Sequence, residues 1–82
     1  MNPNTPSQVL DILAKDEDMY VRCWVAMNPN TSSQVLDILA KDKDRVVRRG
    51  VAKYSKNITI DQLLALGQDK DEDVRQAALE RI

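Results

Sequence analysis

Apolar residues along this chain fall into two alternating kinds of cluster. Val9, Leu10, Ile12, Leu13 and Ala14 make a broad one, and Val21 and Val25, four apart, make a narrow one. The broad cluster returns at Val35, Leu36, Ile38, Leu39 and Ala40, and the narrow one at Val47 and Val51. A looser version follows at Leu63 with Leu66 and at Val74 with Ala78. Spacings of three and four put these side chains on one helix face, and no stretch alternates apolar with polar at the period of two that a strand requires. The pattern predicts an all-α chain of short helices in pairs, with Leu10, Leu13, Val21, Val25, Leu36, Leu39, Val47, Val51, Leu63, Leu66 and Val74 buried. The wide face of the first helix in each pair suits packing between its own unit and a neighbour.

Turn and cap residues delimit the helices. Asn2-Pro3-Asn4 and Asn28-Pro29-Asn30 stop any preceding helix, because proline has no N–H to donate and pushes the residue before it out of the α region. Thr5 and Gln8, Thr31 and Gln34, and Thr59 and Gln62 stand three apart, the spacing of a capping box, and Pro6 suits a first helical position. Aspartates introduce the second helix of each pair: Asp16 and Asp18, Asp42 and Asp44, then Asp69, Asp71 and Asp73. Their short carboxylates accept backbone N–H groups and sit well at the positive end of a helix dipole.

The pairs are copies of one another. Met1–Ala26 and Met27–Ala52 are identical at 20 of 26 positions. A third version, from Lys53 to Ile82, comes into register when Val74-Arg75 is laid over Val21-Arg22 and Val47-Arg48, at a spacing one residue longer. Self-similarity at such a period marks an α-solenoid, in which each unit buries its apolar face against the next, and about three units is the practical minimum. The chain therefore reads as one domain, 1–82, with units at 1–26, 27–52 and 53–82. In the third, Tyr54-Ser55-Lys56-Asn57 replaces the proline turn and Gly67 replaces an alanine, changes expected to alter the turn geometry there.

The run N-P-N-T-P, then L-x-x-L-A-x-D, then D-x-x-V-R-x-x-V-A resembles the leucine-rich repeat variant, a bacterial α-solenoid repeat akin to HEAT repeats. The first two units match over their whole length and the third over its second half, DEDVRQAAL. The resemblance implies a right-handed superhelix without β-sheet, with 3-10 segments in one helix of each unit. It implies little about function, because repeats of this kind carry many tasks.

Composition narrows the chemistry. The chain has no histidine, which removes imidazole acid–base catalysis and the usual zinc ligand sets, and Gly50 and Gly67 are its only glycines, so no phosphate-cradling loop exists. Asp69, Asp71, Asp73 and Glu80 have the spacing of calcium-loop ligands, but Val74 stands where that loop needs glycine. Met19, Cys23 and Met27 could hold Cu(I) in principle, yet they read better as adaptable apolar surface. The expectation is a non-enzymatic chain with no catalytic residue, cofactor or metal. No apolar run approaches the roughly 18 residues of a membrane span, no signal pattern opens the chain, and a single cysteine forms no internal disulfide; these point to the cytoplasm and away from membranes.

The net charge of −1 is unevenly spread: seven basic residues face two aspartates between Lys41 and Lys56, and three basic residues face six acidic ones from Asn57 onward. The twin units differ at Pro6/Ser32, Glu17/Lys43, Met19/Arg45, Tyr20/Val46, Cys23/Arg49 and Trp24/Gly50. Four of these changes lie on the second helix at i, i+4 spacing, so a constant scaffold carries one variable surface. The leading expectation is a protein-interaction module using Met19, Tyr20, Cys23, Trp24, Arg45, Arg49 and Lys53. The alternatives are a nucleic-acid or phosphate-binding module using a basic stripe of Arg45, Arg48, Arg49 and Lys53, and a short piece of a longer array. Arg22, Arg48 and Arg75, each four residues after Asp18, Asp44 and Asp71, read as structural pairs, linking neighbouring helices or bonding locally at i, i+4. Tyr20 and Trp24 are large rings at the N-terminal end, expected to be covered by the first turn, by a second copy of the chain or by a partner.

Overall fold

A computed structural model describes residues 2–82. The chain is all-α. Its helices are α1 (Ser7–Leu13), α2 (Met19–Met27), α3 (Ser33–Leu39), α4 (Arg45–Tyr54), α5 (Ile60–Leu66) and α6 (Glu72–Leu79). No strand and no 3-10 segment occurs among the described residues, so the 3-10 character implied by the family resemblance is not found. The second helices pack side by side in the order α2, α4, α6, and each first helix lies against the second helix of its own pair. None of the helices is long and apolar enough to cross a membrane.

Nine of the eleven residues expected in the core are buried, and Leu10, Val25, Leu36, Leu39, Val47, Val51 and Val74 are fully so. Leu13 and Val21 are only half-buried. Their counterparts Leu39 and Leu66, and Val47 and Val74, are covered by the unit before them, and no described residue plays that part for the first unit. The broad apolar face of the first helices is also narrower than expected. Ile12 and Ile38 are 71% and 56% exposed, because the units are joined mainly through α2, α4 and α6 rather than through α1 and α3.

Caps follow a different assignment from the one the spacing suggests. Only Thr59 and Gln62 form a capping box. The Thr31 hydroxyl instead donates to Val25 O at 2.5 Å, satisfying a carbonyl at the end of α2, and Ser32 takes over as N-cap by accepting from Val35 N. Pro6, which replaces that serine in the first unit, has no hydroxyl, and α1 begins without a side-chain cap. In the third unit Ser55 donates to Val51 O as Thr31 does to Val25 O.

The extra residue of the third repeat lies at the end of α4, which has 10 residues against 9 in α2. Without a proline turn the helix continues to Tyr54 before stopping. Gly67 does not change the turn either: its φ and ψ of −65° and −10° match Ala40 at −65° and −18°. What the glycine provides is space, since a Cβ there would stand 3.2 Å from Leu79 Cδ2.

Candidate functional site

The recurring Asp-x-Asp segments join one unit to the next. In each, the first carboxylate accepts the backbone N–H of the second aspartate: Asp16 from Asp18, Asp42 from Asp44 and Asp69 from Asp71, at 2.8–2.9 Å. In the first and third segments the second carboxylate caps the following helix. Asp18 accepts from Tyr20 N, and Asp71 accepts from Asp73 N and Val74 N. The apparent calcium-loop spacing of Asp69, Asp71 and Asp73 is thus an arrangement of turn and cap. Among the described residues no cluster of acidic or cysteine side chains is arranged for a metal.

Arginines close the junctions. Arg22 donates through Nε to Asp42 at 2.8 Å and through Nη2 to Asp44 at 2.8 Å, while Nη1 reaches back to the carbonyls of Asp16 and Glu17. Arg48 repeats this with Asp69 at 2.9 Å and the carbonyl of Asp42 at 2.7 Å. Arg75 keeps only the backward bond, to Asp69 O at 2.7 Å. Of the two pairings the spacing allowed, the inter-unit one forms, and the i, i+4 partners Asp18 and Asp44 are not paired with the arginine of their own helix. Asp44 makes no side-chain cap bond, its carboxylate being taken by Arg22. The hydrogen bond to Asp42, against the cost of burial, raises the Arg22 pKa above its usual value, so this cation stays charged in the junction.

These junctions remove one residue from the expected basic stripe. Arg48 is buried at 6% exposure and belongs to the joint, which leaves Arg45, Arg49 and Lys53 on the surface of α4. Across a shallow groove stand acidic side chains of the third unit. Arg45 bonds Asp71 at 3.3 Å, and Asp73 and Glu80 line the hollows that Arg49 and Lys53 share with α6. The backbone bond from Val74 N, against the opposing effect of burial and helped by the Arg45 guanidinium and Asp73 N, holds the Asp71 carboxyl below its ordinary range. The groove therefore has a basic wall and an acidic wall rather than one sign of charge.

The remaining candidates separate into two groups. Met19 and Cys23 are half-buried against the core, and burial, followed by the charge of Asp42, raises the Cys23 thiol above its usual value. Tyr20 is 65% exposed and Val46 is exposed beside Arg45 on the neighbouring helix. Trp24 is different. Its counterpart Gly50 is buried against Ala26 of the preceding unit, so Trp24 belongs to the N-terminal end of the molecule rather than to the row. It is half-exposed above a hollow of about 300 Å³ lined by Pro3, Met27, Asn28 and Pro29. Within the described residues Tyr20 is thus largely exposed and Trp24 half-covered, with Pro3 of the first turn beside it.

Ile12 and Ile38, part of the broad apolar clusters by their spacing, stand at the same place in α1 and α3 and point to solvent. No protein-family model matches this chain, and no curated protein and no solved structure matches it.

Proposed function

We propose that the chain is a non-enzymatic protein-interaction module of leucine-rich-repeat-variant type, a short right-handed α-solenoid working in the cytoplasm, whose docking surface is the exposed row of α2 and α4. The observation that carries this reading is where the twin units differ. The helices α1 and α3 have one sequence, SQVLDIL, whereas Tyr20/Val46, Met19/Arg45 and Cys23/Arg49 differ on the adjacent second helices. Residues that hold the units together, such as Arg22/Arg48 and Val25/Val51, do not vary between them.

Tyr20 supplies a large amphipathic contact, and Arg45, Arg49 and Lys53 supply charge next to Asp73 and Glu80. Such a groove suits a peptide or domain carrying both charges better than a uniformly anionic phosphate backbone. The test is site-specific photo-crosslinking in extracts of the native source. A crosslinker at position 49 is expected to capture a protein that one at position 12 does not. Equal capture from both positions, or nucleic acid in place of protein, would refute the assignment.

A further inference from the structure

We propose that the groove between α4 and α6 is a self-docking surface, on which a second copy of the chain packs face to face about a two-fold axis running along the helices. The proposal rests on the docking reading above and names the partner of that site.

The two walls of the groove run in the same direction and in register. Arg45 bonds Asp71 where α4 and α6 begin, and Arg81 donates to Ser55 O at 2.8 Å where they end. The repeat spacing therefore sets Val46 level with Asp73, Arg49 with Gln76 and Lys53 with Glu80. One wall carries cations and the other carboxylates, yet the two are mostly not joined. Apart from the Arg45–Asp71 bond, Arg49, Lys53, Asp73 and Glu80 make no ion pair among the described residues. They stand instead around two adjoining hollows of about 200 and 150 Å³. The carboxylates occupy positions whose counterparts on α4, Val46 and Lys53, stay exposed although α6 packs beside them, so a neighbouring unit does not cover such a row.

Two adjacent parallel rows of opposite charge are complementary to themselves, which is the condition for a two-fold contact between identical chains. Only one direction of the axis in the contact plane uses it. An axis across the helices sets α4 on α4 of the other copy, like charge on like. An axis along the helices, midway between α4 and α6, sets each α4 over the other copy's α6 and preserves the level of every residue. Lys53 then meets Glu80 of the other copy, and Arg49 meets Gln76 with Asp73 one turn away, each pairing occurring twice. A partner of a single charge satisfies one wall and is repelled by the other, whereas a second copy satisfies both. Apolar contact is limited to Val46 and the aliphatic stems of the charged side chains, so the dimer belongs among weak, salt-sensitive associations.

Sedimentation equilibrium of the full chain and of charge-reversed variants tests the proposal, with circular dichroism first establishing wild-type helix content for each. In about 0.01 M salt, where the Debye length is about 30 Å, the wild type is expected to show a reversible monomer–dimer equilibrium with a dissociation constant below about 1 mM. Arg49→Glu with Lys53→Glu is expected to weaken it about tenfold or more, and so is Asp73→Lys with Glu80→Lys. All four changes in one chain keep the net charge at −1 and are expected to restore the dimer, as is an equimolar mixture of the two single-wall variants, which pairs unlike chains. In about 1 M salt, where the Debye length is about 3 Å, the wild-type dimer is expected to dissociate. A wild-type chain that stays monomeric up to about 1 mM at low salt would overturn the proposal. So would a dimer indifferent to both reversals, or losses that neither the four-fold variant nor the mixture restores. A monomeric chain that still captures another protein at position 49 would overturn this proposal alone and leave the docking row standing.

Discussion

Leu79 leans over Gly67 so closely that a Cβ built on the glycine would stand 3.2 Å from Leu79 Cδ2. In the second unit the corresponding residues are Ala40 and Ala52. One large and one absent side chain in the third unit therefore replace two small ones. Gly67→Ala in a helical backbone conformation ordinarily stabilises by about 0.4–1 kcal/mol through the unfolded chain, and here the crowding opposes that gain. We expect Gly67→Ala to be close to neutral alone and to give the full gain in a Leu79→Ala background. Urea denaturation of the four chains measures this; equal effects in both backgrounds would show that the two residues are not coupled.

Arg48 and Arg45 are three residues apart and should behave oppositely. Arg48→Ala leaves Asp69, with a side chain 10% exposed, without its partner, a loss of about 3–5 kcal/mol. Against a total of roughly 4–12 kcal/mol for a chain of this size, that brings the protein close to unfolding. Arg45→Ala removes a pair whose arginine is 68% exposed and should cost no more than about 1 kcal/mol. Chemical denaturation followed by circular dichroism distinguishes them, and similar losses would contradict the different placement of the two arginines.

Asp71 gives the stability a dependence on acid. Its carboxyl is held below its ordinary range by Val74 N and Arg45, so the unfolded chain binds its proton first as pH falls. The contribution is therefore fully present above the unfolded value, about 3.9, and is lost as pH falls through the lower folded value. Asp71→Asn, which retains a capping oxygen, should flatten that part of the acid limb in a series of thermal melts. An unchanged limb would show that Asp71 is not one of its sources.

Nucleic acid should bind weakly or not at all. With Arg48 buried, three basic side chains remain on the α4 surface, enough for a log–log salt slope of no more than about 3. Asp71, Asp73 and Glu80 face them. We expect no mobility shift of single- or double-stranded probes at low salt; a slope well above 3 would require a surface other than the α4 row.

Much of the fold was legible because its signals are local and repeated. Helix spacing identified the core at Leu10, Leu36 and Val47, and the repeated Arg and Asp positions pointed to structural pairs. Three features were not legible, each for a physical reason. Leu13 and Val21 have the same neighbours in sequence as buried residues, and they are half-exposed because no described residue packs over them as the preceding unit packs over Leu39 and Val47. Thr31 had the spacing of a cap, but a carbonyl at the end of α2 competes for its hydroxyl. Arg48 looked like one member of a surface stripe, because nothing in a helical period reveals that Asp69, 21 residues on, lies within reach. By helical period alone Trp24 belongs with the row, and its different direction is visible only through the burial of its counterpart Gly50 against Ala26.

The most direct test of the docking surface is the affinity of the captured protein for four single variants, measured by titration calorimetry. Tyr20→Ala and Arg49→Glu are expected to weaken binding by about tenfold or more, as for residues central to an interface, while Ile12→Lys and Ile38→Lys on the first helices leave it within about twofold. Loss of binding from the two isoleucine variants, with Tyr20→Ala and Arg49→Glu binding like the wild type, would place the partner on the opposite side of the molecule and contradict the assignment of recognition to the α2 and α4 row.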